Sequence, residues 1–181
     1  GSAYNIAIGR DAGKAVSTGI RNVIIGGLTG DAITTGEGNV AIGYHVLRNV
    51  TNSAGNIAIG QLALSALTAS GTTYNVAIGH NAGMSMTTGK SNTLIGGQAG
   101  DALTVGDRNV AIGTGALSTE TEGDRNVAVG HNALSTQNTT SNADIYNTGV
   151  GYEAGKTVTT GVRNTLIGGL AGDALTTGSN N

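Results

Sequence analysis

Asn39-Val40-Ala41-Ile42-Gly43 is the stretch on which the fold turns, because the chain restates it at near-constant spacing. The pattern Asn-x-x-(Ile or Val)-Gly begins at Asn5, Asn22, Asn39, Asn56, Asn75, Asn92, Asn109, Asn126, Asn147 and Asn164, and Asn181 opens an eleventh copy. The steps between these asparagines are 17, 17, 17, 19, 17, 17, 17, 21, 17 and 17 residues. A short, strict period is the signature of a solenoid, in which each repeat buries its apolar face only by stacking on its neighbours. The expected fold is therefore all-β, a parallel β-solenoid of ten coils of 17 residues. At ~4.8 Å per stacked strand the rod would be about 48 Å long.

Composition supports a thin core. The chain has no Phe, Trp, Pro or Cys, 3% aromatic residues and 32 Gly in 181. Ordinary globular cores draw much of their buried area from aromatic rings; here Ile, Val, Leu and Ala must suffice, which suits a tube one side chain deep. The absence of Pro and of a three-residue Gly period excludes collagen, and the regular Ile and Val argue against disorder. A net charge of −2 implies no basic face for nucleic acid. No apolar run is long enough to insert in a membrane. Gly1-Ser2 reads as a cloning scar, so residues 1–3 are set apart from one array over 4–181. The stop in mid-repeat predicts a longer parent protein.

With each Asn as position 1, position 4 is always Ile or Val, and position 2 is Ile, Val or Thr. β-branched residues two apart share a strand face, so both are expected to point into the tube. Burying each would stabilise the fold by roughly 1.5–3 kcal/mol. Gly at position 5, and at position 15 in seven coils, is expected where the backbone turns with φ > 0. A second strand is expected near positions 11–14. Position 12 is apolar except at Glu120 and Gln137. The asparagines are expected to stack as a ladder, each amide donating to the next coil and satisfying a backbone group at the corner.

A longer rhythm overlies the coil. Position 9 runs Gly13, Gly30, Leu47, Leu64, Gly83, Gly100, Leu117, Leu134, Gly155, Gly172. Both length exceptions close a fourth coil and end in a Tyr, Tyr74 or Tyr146, so the unit is four coils: 4–74, 75–146 and an incomplete 147–181. In the second coil of each unit, position 3 enlarges to Ile24, Leu94 or Leu166, position 6 becomes Gly27, Gly97 or Gly169, and position 10 becomes Asp31, Asp101 or Asp173. Volume compensation of this kind marks a tight contact. With position 3 pointing outward, Ile24, Leu94 and Leu166 are the candidate subunit interface.

Repeated Asn-Val-Ala-Ile-Gly, followed by Ala-Gly or Ala-Leu and then Thr-Thr-Gly, resembles the YadA-like head repeats of trimeric autotransporter adhesins. It is also similar to the repeats of phage tail fibres. The resemblance is clearest at 39–43, 75–79 and 109–113 and covers nearly the whole chain. It implies a left-handed β-roll, a homotrimer, an extracellular, cell-surface or virion-fibre location, and attachment to a host surface protein or glycan. The 17-residue coil with Thr-Thr-Gly is longer than that of the adhesin heads, which leans toward a tail-fibre or shaft version.

Residues that could carry chemistry are few. His80 and His131 occupy the same position three coils apart, roughly 14 Å, too far to share a metal ion. His45 stands alone. Asp31, Asp101 and Asp173 are too sparse for a calcium β-roll and are expected to hydrogen-bond at a corner or interface. Asp107-Arg108 and Asp124-Arg125 are expected to pair across coils in solvent. A Thr file at position 13 is what an ice-binding solenoid displays, but adjacent strand residues point to opposite sides, so two outward files are not expected. A hexapeptide acyltransferase, also a trimeric solenoid, would need a six-residue period and Pro-rich loops. No catalytic, cofactor or metal constellation stands out. The expectation is a non-enzymatic structural or adhesive fibre segment, with candidate contacts at Tyr44, His80, His131, Tyr152, Tyr74 and Tyr146.

Overall fold

The computed structural model describes residues 3–181; Gly1 and Ser2, which the sequence reading set apart, lie outside the described residues. Ten three-residue strands, from Ile6–Ile8 to Thr165–Ile167, stack in chain order as one parallel sheet. Register is residue for residue, as in Ala41 opposite Ala58. It survives both longer coils, with Ile57 opposite Val76 and Val127 opposite Thr148. The extra residues therefore bulge outside the stack. The described residues form no helix, and the architecture is a parallel β-solenoid of ten coils.

The strands face the opposite way from the sequence expectation. Position 3 is the buried one: Ile24, Ala41, Ala58, Ala77, Leu94, Ala111 and Ala128 are fully enclosed. Positions 2 and 4 lie on the outer face, exposed at Ile6, Ile8, Ile57, Thr165 and Ile167 and half-buried in the other coils. Ile24, Leu94 and Leu166, expected at a subunit interface, are instead core residues of the chain's own tube. The physical reason is alternation. Asn at position 1 is buried, and position 3 shares its face.

Volume compensation is real, but it operates across the core and between positions 3 and 9. A Cβ added at Gly83 would lie 2.8 Å from Leu94 Cδ1 and 2.9 Å from Leu64 Cδ2. At Gly100 it would meet Leu94 Cδ2 at 2.8 Å. In the third and fourth coils the arrangement reverses: Ala at position 3 faces buried Leu47, Leu64, Leu117 and Leu134 at position 9. Between positions 3 and 9 a large side chain on one wall stands against a small one on the other, and a level that has neither, such as Ala77 with Gly83, is filled by Leu64 and Leu94 from the coils on either side. These four leucines sit at φ 47 to 53, an uncommon conformation for a side chain of that size and the one that Gly takes at the same position in the other coils, such as Gly83 at φ 57.

The asparagine column is hydrogen-bonded throughout. Each Asn N–H donates to the Oδ1 of the preceding Asn, from Asn22 to Asn5 (2.9 Å) through Asn181 to Asn164 (3.1 Å). The side-chain Nδ2 donates to the same oxygen in most steps, such as Asn109 to Asn92 at 3.2 Å. It also crosses the tube to the position-15 carbonyl, as Asn109 does to Gly123 O at 2.9 Å. The buried amide is thus satisfied, so its burial carries no orphan penalty.

Position 15 is Gly for space rather than for φ. Gly19, Gly36 and Gly89 keep ordinary φ, but a Cβ at Gly89 would fall 2.6 Å from Gly106 O and 3.1 Å from Asn92 Nδ2. Position 5 does turn with positive φ, for example +130 at Gly113. No strand forms at positions 11–14. The amides of Thr34, Thr35 and Gly36 instead converge on one acceptor, Thr51 O, at 2.8, 3.2 and 3.3 Å. The segment from position 6 is turn rather than extended, closed by bonds such as Ala116 N–H to Gly113 O at 3.2 Å.

The two bulged coils repair the ladder differently. In the fourth, Thr73 Oγ1 donates to Asn56 Oδ1 (2.7 Å) and Asn56 Nδ2 donates to Ser53 Oγ (3.0 Å). In the eighth, Asn147 Nδ2 donates to Gln137 Oε1 (2.8 Å), and Gln137 Nε2 donates to Glu120 Oε2 (2.8 Å). Glu120 Oε1 also accepts from the amides of Thr121, Glu122, Gly123 and Thr139 and from Thr139 Oγ1. Glu120 and Gln137, the polar exceptions at position 12, are both fully buried.

Candidate functional site

The largest uncommitted feature is the outer face of the sheet. Files of β-branched residues at positions 2 and 4, such as Val110 and Ile112 or Val127 and Val129, run the length of the rod. In-register stacking places identical positions one strand spacing apart, so the two files form one β-branched band, Ile or Val throughout position 4 and Thr at position 2 only in Thr93, Thr148 and Thr165. Among the described residues nothing folds over it.

The position-6 candidates occupy a separate outer corner. Tyr44 is about half exposed (49%), with its ring edge-on to His45 at 4.1 Å and lying over Gly27, whose added Cβ would come 3.6 Å from Tyr44 Cδ2. Gly at position 6 thus makes room for an aromatic one coil on. His131 and Tyr152, one coil apart, stack at 5.5 Å with planes 9° apart. His80 is exposed. The structure brings His131 and Tyr152 together and leaves His80 apart from both.

Tyr74 and Tyr146 lie at a third corner, where the bulged coils close. Tyr74 borders a groove of about 280 Å³ with Arg21, Glu37, Gly38, Gly55 and Thr72. At the matching place one unit on, Arg125 pairs with Asp144 and its guanidinium lies 5.7 Å from the centre of the Tyr146 ring. Asp107 and Asp124 do not pair with Arg across coils. Asp107 Oδ1 accepts from Lys90 N–H and Asp124 Oδ1 from Asp107 N–H, both at 2.7 Å. A carboxylate at position 16 satisfies the strand-edge amide below it, which short Ser179 Oγ also does for Val162 at 3.0 Å.

The expected corner hydrogen bonds of the recurring Asp are incomplete. Asp31 Oδ1 and Asp101 Oδ1 are buried without a partner. Lys14 Nζ approaches Asp31 Oδ2 at 3.7 Å, but the residue below Asp101 in the column is Met84. Burial pushes the Asp101 carboxyl above its ordinary value, offset in part by its own amide and that of Ala102. The folded chain therefore holds this proton more tightly than the unfolded chain. The resulting cost to stability is fully present above the folded pKa and vanishes as pH falls below the unfolded one. Asp101→Asn is expected to raise the thermal midpoint slightly at pH 7 and to leave it unchanged near pH 3. Circular-dichroism melts at both pH values check this, and a lowered midpoint at pH 7 would contradict it.

Compared with family models, curated proteins and solved structures, the chain matches none. Among the described residues no three or more of His, Asp and Glu gather as a metal site, and no helix is long and apolar enough to cross a membrane. The Thr corner also departs from expectation. Positions 13 and 14 sit in a bend, and both Thr34 and Thr35, like Thr87 and Thr88, reach the surface. The position-13 hydroxyls donate to the carbonyl one coil on, as Thr104 does to Thr121 O at 2.9 Å. Ala69, Val105 and Glu122 interrupt the second file. The sequence had marked Tyr74 and Tyr146 as equivalent; that one borders an open groove and the other lies partly under Arg125 was legible only once Gly55 and Arg125 could be seen at matching places.

Proposed function

We propose that this chain is a non-enzymatic fibre segment that assembles as a homotrimer through the outer face of its ten-stranded sheet. The observation that carries this reading is the outward β-branched band at positions 2 and 4, Ile or Val throughout position 4 and interrupted at position 2 by Thr93, Thr148 and Thr165. A contiguous apolar face of that length is rare on a monomer and marks an interaction surface. A second and third copy of the same face, turned to a common axis, would cover it with identical β-branched files. Closed cyclic symmetry also caps the assembly, where an open sheet face would continue to recruit copies. The resemblance of the Asn-Val-Ala-Ile-Gly repeats to YadA-like adhesin heads and phage tail-fibre repeats supports the same reading. Rigidity follows from coils that pair along their whole length. The corners bearing Tyr44, His80, His131, Tyr152, Tyr74 and Tyr146 stand away from the band and are free to meet a host surface protein or glycan.

Sedimentation equilibrium of the purified chain tests the assembly. The expected result is about three times the 17.8 kDa chain mass. A monomer at tens of micromolar would sink the proposal.

A further inference from the structure

We propose that the groove between Arg21 and Tyr74 is a binding site for a neutral saccharide ring. The two four-coil units share one scaffold, and the second unit supplies an internal control. There, Arg125 covers the Tyr146 ring and is anchored by Asp144. In the first unit the matching residues are Gly55 and Thr72, and among the described residues no side chain lies over Tyr74 as Arg125 lies over Tyr146. What remains is a groove of about 280 Å³, close to the ~300 Å³ lower bound of small-ligand sites.

The chemistry of the walls selects the ligand. Tyr74 is 66% exposed and offers an amphipathic ring to an apolar face. Gly38 leaves the floor open, since a Cβ there would meet nothing within 4 Å. Gly55 admits the ring, because a Cβ would come 3.0 Å from Tyr74 Cδ1. Opposite, Arg21 Nη2 donates to Glu37 Oε2 at 3.0 Å. That pair cancels in charge, so neither a free anion nor a free cation is favoured. It still presents spare guanidinium donors beside a spare carboxylate acceptor. A pyranose supplies both complements: a C–H face for Tyr74, and neighbouring hydroxyls that donate to Glu37 and accept from Arg21.

The proposal rests on the surface-presenting part of the reading above, but the groove lies within one chain and needs no assembly. Saturation-transfer NMR on the full chain, with the methyl glycosides of glucose, galactose, mannose and N-acetylglucosamine as probes, tests it. Transfer to at least one glycoside is expected. Affinity should fall about tenfold or more, the equivalent of 1.4 kcal/mol, in Tyr74→Ala and in the plugged double variant Gly55→Arg/Thr72→Asp. Gly55 has φ 74 and Arg125 has φ 60, so the backbone already suits the new arginine. Tyr146→Ala should bind as wild type. Absence of transfer to all four glycosides, retention in the plugged variant, or equal loss in Tyr146→Ala overturns the site. Sedimentation of the same samples separates the two proposals. A trimer without saccharide transfer overturns the groove alone, and a monomer that binds overturns the assembly alone.

Discussion

Leu94→Asp is expected to abolish folding of the coil stack, whereas Ile95→Asp, one residue along, should leave the coils folded and break their assembly. Leu94 is fully buried, and both methyl groups fill the space that Gly83 and Gly100 vacate, within 2.8 Å of where a Cβ would stand. Aspartate there would strand a carboxylate in a tube with no spare donor and empty two levels of packing. Each of these costs several kcal/mol, against a typical total of about 5–15 kcal/mol. Ile95 points the other way, onto the outer band. A charge in each copy would then repel its equivalents about the proposed axis while sparing the coil interior. Far-ultraviolet circular dichroism should show an unfolded spectrum for Leu94→Asp and a native one for Ile95→Asp. Sedimentation should find the second variant monomeric. A folded Leu94→Asp would refute the inward orientation of position 3.

Replacing buried Glu120 by leucine, a residue of the kind that occupies position 12 in most other coils, is expected to destabilise rather than stabilise. The carboxylate accepts from four backbone amides, one hydroxyl and the Gln137 side chain. Leucine matches none of them, and the donors stay buried around it. Each buried neutral donor left without a partner costs about 1–3 kcal/mol. The damage should spread, because Gln137 passes the connection to Asn147 and so carries the ladder past the eighth-coil bulge. Urea unfolding with matched slopes checks this. Leu103→Ala, which removes a fully buried side chain at the same position one coil earlier, sets the scale of a simple cavity loss, about 2–5 kcal/mol. A Glu120→Leu chain as stable as wild type would show that the network contributes nothing net.

These two sites also show where sequence reading stops. Glu120 and Gln137 were visible as polar interruptions at one position of successive coils, where stacking makes them neighbours; the converging amides of Thr121, Glu122, Gly123 and Thr139 and the link on to Asn147 were not visible, because they depend on how the turn and the bulged coil fold. The groove beside Tyr74 is similar: Arg21, Glu37, Gly55 and Tyr74 come from four coils, and only stacking in register sets them side by side. Tyr74 itself was legible as a repeat-closing aromatic. Its exposure depended on Gly55, a residue that reads alone as an ordinary corner.

The period of the chain determined the coil count, the parallel in-register sheet and the four-coil unit, because a repeated pattern can bury itself only by stacking on its own copies. The column of asparagines was readable for the same reason. The face each strand turns inward was decided by the tertiary structure. A three-residue strand is too short for hydrophobicity to choose its phase, and Ile and Val at positions 2 and 4 look more like core than Ala at position 3. Packing decides otherwise. The Asn ladder buries position 1, position 3 shares its face, and positions 9 and 12 fill the space beside them, so Asn and Ala go inside and the bulkier β-branched files are left facing out.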